Sequence, residues 1–181
     1  MKKNICIFCG SAAGNNPSFV ETAKAIGKLL VKYDIGLVYG GASIGVMGAI
    51  ADSVMENGGR VIGIIPQSLV DYEVAHANLT ELHVVSNMHE RKMMMYENAD
   101  MFLSLPGGMG TLEEMFEVLT WTQLKYINKK SYIFNLDGFY DSLLSYLEHS
   151  HKTGFIKKEH IELLSVLKTV DELEKVILQG V

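Results

Sequence analysis

The chain has 181 residues, 48% hydrophobic and 20% charged, with a formal net charge of −5. That length suits one domain with a sizeable core and is short for two, and the composition excludes a disordered or fibrous chain. The acidic balance argues against a general nucleic-acid surface and leaves room for a local anion pocket. No apolar run nears the roughly 18 to 20 residues of a membrane span. The apolar stretch before Gly10 is too short for a signal-peptide core, so the expectation is a cytoplasmic protein that engages neither membrane nor nucleic acid.

Along the chain, NICIFCG (4–10) reads as a first strand ending in a glycine turn. It holds the only cysteines, Cys6 and Cys9. A redox C-x-x-C opens a helix, whereas Cys6 lies within a strand, so two buried, reduced thiols are expected. PSFVETAKAIGKLLVKY (17–33) is a helix whose Phe19, Ala23, Ile26 and Leu30 form one apolar face. IGLVYGG (35–41) is the second strand, and GVMGAIADSVMENGG (45–59) a helix stopped by Gly58 and Gly59. RVIGIIP (60–66) is a third strand and ELHVV (81–85) a short fourth. Residues 67–80 between them have weak periodicity and suit a mobile, ligand-covering loop.

MHERKMMMYENA (88–99) is a helix, DMFLSLPGG (100–108) a fifth strand and TLEEMFEVLTWTQLKY (111–126) a helix. KSYIFNL (130–136) is a sixth strand, and FYDSLLSYLEHSHKTG (139–154) and VDELEKVILQG (170–180) are further helices. Strands apolar at consecutive positions and separated by helices predict a Rossmann-like, doubly wound parallel α/β sheet in a single domain, residues 1–181.

In such sheets ligands bind beyond the carboxyl ends of the strands. Three glycine-rich turns fall there, CGSAAG, YGGASIGVMG and PGGMGT, and glycine lets backbone N–H groups approach an anion at a helix N-terminus. None is a G-x-G-x-x-G or a P-loop, which disfavours dinucleotide oxidoreductases and NTPases. Thr111 followed by Glu114 has the spacing of a capping box. Projected at about 100° per residue, Leu112, Met115, Phe116 and Leu119 share a core face, Glu113, Glu117 and Thr120 a polar one. Glu114 falls with Val118 and Trp121, surroundings that suit a carboxylate for acid or base work. Cap and catalyst both fit this spacing.

Arg91 and Lys92 open a methionine-rich helix, where cations oppose the helix dipole unless an anion or carboxylate compensates them. Met93, Met94 and Met95 read as core or interface filler. The histidines show no metal spacing, the serines no G-x-S-x-G setting and the lysines no pyridoxal phosphate context, so no metal and no cofactor is expected.

PGGMGTLEE, with MHERK upstream and TWTQL downstream, resembles the Lonely Guy family, the cytokinin-activating phosphoribohydrolases often labelled lysine decarboxylases. The resemblance extends to CGS, YGGASIGVMGAIA and FNLDGFYDSLL, and departs at Ala42, where a third glycine is common. It implies hydrolysis of a nucleoside 5'-monophosphate, AMP or a cytokinin riboside 5'-monophosphate, to free base and ribose 5-phosphate by a homodimer. Carried over by position, Arg91 and Glu114 are the catalytic pair. Glu73, Lys92, Gly108, Met109, Gly110, Thr111, Leu112, Glu113 and Thr120 contact substrate, and Gly107, Ser11 and Gly41 complete the binding turns. In that reading the Gly107–Thr111 turn holds the 5'-phosphate, Glu114 faces the sugar and Arg91 orients the phosphoribosyl group or the leaving base. The alternative is a non-catalytic nucleotide or cofactor carrier of the same fold, which has no need of Arg91 with Glu114. A true lysine decarboxylase would require pyridoxal phosphate and a Schiff-base lysine.

Overall fold

The computed structural model describes residues 3–70 and 75–180. In chain order they form β1 (Asn4–Phe8), α1 (Ser18–Lys32), β2 (Gly36–Tyr39), α2 (Gly45–Glu56), β3 (Val61–Pro66), β4 (Glu81–Val85), α3 (Met88–Glu97) and β5 (Met101–Ser104). There follow α4 (Met109–Gln123), β6 (Lys130–Phe134), α5 (Asp141–Lys152), α6 (Lys158–Ile161), β7 (Leu164–Leu167) and α7 (Val170–Leu178). Among the described residues the strands make one seven-stranded sheet, ordered β4-β3-β2-β1-β5-β6-β7, with every pair parallel. The chain winds outward from β1 to β4 and returns to lay β5 beside β1, so the switch point lies between β1 and β5.

The period of two along each strand sends successive side chains to opposite faces, and with both faces of the central strands covered this explains their consecutive apolar residues. Ile5, Ile7, Leu37, Tyr39, Met101 and Leu103 face a core completed by Ile26 and Leu30 of α1, Ile50 and Val54 of α2, and Leu173 and Ile177 of α7. Cys6, Phe8, Val38, Ile62, Ile64 and Phe102 point the other way, onto Met95 and Tyr96 of α3 and Val118 of α4. Met115 packs with Ile133 and Tyr140, and Leu112, Phe116 and Leu119 flank them, as the helix projection requires.

Cys6 and Cys9 belong to opposite cores, which is what a separation of three along an extended chain produces. Both are free and buried. Burial first and the negative charge of Glu114 second push both thiols well above their ordinary pKa, the reverse of a reactive dithiol.

The sheet has one strand more than the sequence pattern predicts. LSVL (β7) is an edge strand with Ser165 and Val166 exposed, so the run of buried positions that marks the inner strands is missing there, as it is at β4 on the other edge.

Candidate active site

The tips of β1 and β5 are tied together beyond the sheet. Leu105 N donates to the Phe8 carbonyl (2.9 Å), Gly10 N to the Pro106 carbonyl (3.1 Å) and the Tyr140 hydroxyl to the Leu105 carbonyl (2.7 Å). Met47 N of α2 donates to the Gly10 carbonyl at 3.1 Å. Over this platform opens a cavity of about 290 Å³, walled by Cys9, Gly10 and Ser11 after β1, Gly40 after β2 and Met47 of α2. Leu69 closes it from beyond β3, Met88 and Arg91 from α3, and Gly108 to Thr111 with Glu113 and Glu114 from α4. The three glycine-rich turns therefore converge on one space at the switch point. Its volume sits at the small end of the range for ligand pockets, roughly 300–1,000 Å³.

The start of α4 differs from the capping box read in the sequence. Gly108 is the N-cap and Met109, Gly110 and Thr111 form the first turn, so Thr111 is already the third helical residue and caps nothing. The helix begins two residues earlier because Gly108 takes the extended cap conformation (φ −98°, ψ −151°) directly after the β5 loop. Glu114 is thereby carried into the second turn, away from the N-cap amide. The first-turn N–H groups have no intrahelical acceptor and belong to residues that line the cavity. Gly107 is needed behind them: a Cβ there would stand 2.1 Å from Thr111 Oγ1 and 2.8 Å from Gly10 N.

Charge is concentrated and enclosed. Arg91 is 5% exposed and Glu114 9%, and both line the cavity. An Arg91 guanidinium N–H donates to the Gly40 carbonyl at 3.0 Å, and another lies 3.8 Å from Met88 Sδ. Lys92, one residue on, turns outward along the seam between α3 and α4: its Nζ is 2.6 Å from Glu113 and 3.1 Å from Glu117. The carboxylates that the dipole argument demanded thus come, for Lys92, from α4. Among the described residues no cluster of His, Cys, Asp and Glu could hold a metal ion, and no helix is long and apolar enough to cross a membrane.

The family model described as "Possible lysine decarboxylase" matches residues 47–177. The cytokinin riboside 5'-monophosphate phosphoribohydrolase of Oryza sativa subsp. japonica is 45% identical over 171 residues, 94% of this chain and 71% of the rice protein. The enzyme of the same name from Rhodococcoides fascians is 42% identical over 170 residues, 93% of this chain and 86% of its own. The chain belongs to the Lonely Guy (LOG) family. Among solved structures, the molybdenum cofactor binding protein of Rippkaea orientalis superposes with a TM-score of 0.73 at 20% identity, covering 99% of this chain and 97% of its own. The molybdenum cofactor carrier protein of Chlamydomonas reinhardtii gives 0.73 at 18%, with the same coverage. At these identities the likeness is one of fold.

Of the positions carried over from the LOG resemblance, Ser11, Arg91, Gly108, Met109, Gly110, Thr111, Glu113 and Glu114 line the cavity. Gly107 lines a second, mostly apolar cavity behind the β5 loop, with Phe19 and Phe139. Leu112 packs into the core, and Thr120 opens onto a separate groove beside α5 and α6. Gly41 stands behind the wall with φ +80°, its carbonyl accepting from His76 N at 2.9 Å. Lys92 is not among the lining residues. Glu73 lies outside the described residues. Of the segment expected to cover the ligand, Leu69 reaches the cavity, Ala75 bridges to Ala42, and His76 Nε2 pairs with Asp52 at 2.9 Å.

Sequence reasoning missed Ile7, Cys9, Gly10, Gly40, Met47, Leu69 and Met88 as lining residues. Position at a strand tip or first helical turn was the available signal for Cys9, Gly40, Met47 and Met88. Leu69 follows β3 in a short 3₁₀ turn that no pattern announces.

Proposed function

We propose that the protein hydrolyses the N-glycosidic bond of a nucleoside 5'-monophosphate, a cytokinin riboside 5'-monophosphate or AMP, to free base and ribose 5-phosphate. One observation carries this reading: buried Arg91 and Glu114 open into the same cavity as the first turn of α4. Relatives above 40% identity are named for the same reaction.

In this reading the 5'-phosphate rests on the N–H groups of Met109, Gly110 and Thr111, with Ser11 opposite, a metal-free anion site at a helix N-terminus. Binding there fixes the ribose over Glu114. As the glycosidic bond breaks, positive charge develops on the sugar, and the Glu114 carboxylate stabilises it and orients the attacking water. Water's oxygen joins the anomeric carbon and a proton passes to the departing base nitrogen. Arg91 holds the phosphoribosyl group or base. Met47, Leu69 and Met88 supply apolar wall for the base.

We further infer a cytoplasmic homodimer acting as a single α/β domain, since α3 and the end of α4 expose Met93, Leu124 and Tyr126. The test is incubation with AMP and with an N6-isopentenyl AMP, following free base and ribose 5-phosphate. Wild type should release both products and Glu114→Gln very little. Binding without turnover would favour the carrier reading.

A further inference from the structure

Arg91 and Glu114 each have a sequence neighbour that takes no part in the cavity chemistry just described, and these neighbours meet. Lys92 and Tyr96 are one turn apart on α3, while Glu113, Glu117 and Trp121 are successive turns of α4, so the two rows face each other. Lys92 Nζ bridges Glu113 (2.6 Å) and Glu117 (3.1 Å), the Tyr96 hydroxyl donates to Glu117, and the Tyr96 ring meets Trp121 edge-on with centroids 4.9 Å apart. Lys129 Nζ pins the Tyr96 carbonyl at 2.6 Å. Lys92 is 8% exposed, so its ammonium has exchanged water for these two carboxylates.

We propose that Lys92 is a positioning residue rather than a substrate ligand: it locks α3 to α4 beside the Arg91–Glu114 cavity and offsets the two carboxylates flanking Glu114. The inference rests on the reaction proposed above. The groups around Glu114 are Arg91, Lys92 and Tyr96 from α3, Cys6 of β1 and Cys9 just after it, Glu113 and Glu117 from α4, with Lys129 acting on Cys6 from farther off. The thiols and Tyr96 are held neutral, chiefly by burial. The charge balance is therefore two cations against three carboxylates. Burial opposes the Lys92 charge, but the hydrogen bonds to Glu113 and Glu117 outweigh it and hold the ammonium above the ordinary lysine value. Lys92 stays charged throughout the working pH range. Without it, three carboxylates face one guanidinium and Glu114 binds its proton more tightly.

The experiment is the pH dependence of kcat/KM for AMP in wild type, Lys92→Met, Lys92→Arg and Lys92→Met/Glu117→Gln. Lys92→Met should move the acid limb up by about one pH unit. Lys92→Arg should leave it in place, and the double variant should bring it back toward wild type. A Lys92→Met enzyme with an unmoved acid limb and only a raised KM would make Lys92 a phosphate ligand and overturn the proposal. Trp121, the single tryptophan, provides a readout without turnover. Its fluorescence should titrate about one pH unit higher in Lys92→Met than in wild type, and superposable titrations would sink the idea whatever the reaction is. Absence of cleavage of both AMP and N6-isopentenyl AMP by wild type, with the fluorescence shift present, would refute the reaction and leave the charge balance standing.

Discussion

Glu114 and Glu117 are one turn apart on α4 and of one residue type, yet their neighbours give them different work. Glu117 is anchored by Lys92 and Tyr96, whereas Glu114 reaches the cavity beside Arg91. Glu114→Gln keeps the shape and removes the charge. Under the proposed reaction kcat should fall about 10²–10⁴-fold with KM changed only a few-fold, because the lost interaction belongs to the transition state. A KM rise with kcat retained would assign Glu114 to binding alone. Both catalytic candidates were legible, Glu114 from its departure from the polar face of α4 and Arg91 from its unfavourable position at a helix start. The Thr111 cap was misread because a hydroxyl and a carboxylate three apart fit a helix start at either of two positions, and only the β5 loop decides which. Thr120 shares a face with Glu113 in projection, yet lies almost two turns farther along α4 and opens elsewhere.

At the scale of elements, the caps stand where the sequence reading did not look. Asn87 Oδ1 accepts from Glu90 N at 3.0 Å, while the Glu90 carboxylate accepts from Ser86 N at 2.9 Å and is held below its ordinary pKa by that bond. Thr169 and Glu172 repeat the arrangement before α7, with Thr169 Oγ1 accepting from Glu172 N at 3.2 Å. Asn87 begins the helix that carries Arg91 and Lys92, so its cap serves both stability and site. Asn87→Ala should lower the unfolding free energy by about 1 kcal/mol in urea melts. It should also lower kcat/KM, since fraying starts within a turn of Arg91; unchanged turnover with reduced stability would separate the cap from the site. The inner strands were legible because burial on both sides leaves consecutive apolar residues, and the edge strand β4 was read from its Leu82, Val84 and Val85 although most of it is not buried. β7 was not, because an edge strand half in solvent carries no such run.

At the scale of the molecule, the β1–β5 junction that creates the cavity is fastened at both ends. At the far edge Asp100 Oδ2 accepts from Asn4 N (2.8 Å), its Oδ1 pairs with Lys3 (2.9 Å), and Asn4 Nδ2 donates to the Asn98 carbonyl (2.8 Å). Burial alone would raise the Asp100 pKa, but the Asn4 N–H and then Lys3 outweigh it and leave the carboxyl below its ordinary value. A depressed carboxylate stabilises the fold above its unfolded pKa and loses that contribution as pH falls through its folded one. Wild type should therefore exceed Asp100→Asn in urea resistance above about pH 5, with the gap closing toward about pH 2. A gap independent of pH would mean that shape, not charge, holds the junction. On the opposite side of the sheet from α1 and α2, α3 leaves Met93 in solvent and the turn after α4 leaves Leu124 and Tyr126 there, the last 74% exposed. Isolated exposed apolar residues are ordinary, but Met93 on α3 together with Leu124 and Tyr126 in the turn after α4 marks a surface that a second copy can cover. Light scattering at about 10 µM, a concentration suited to a micromolar or tighter dimer, should give twice the chain mass for wild type. Met93→Glu with Leu124→Glu should give the chain mass, with an unchanged far-ultraviolet spectrum. A wild-type monomer would remove the dimer from the proposal, and a double variant still at twice the mass would place the interface on another face.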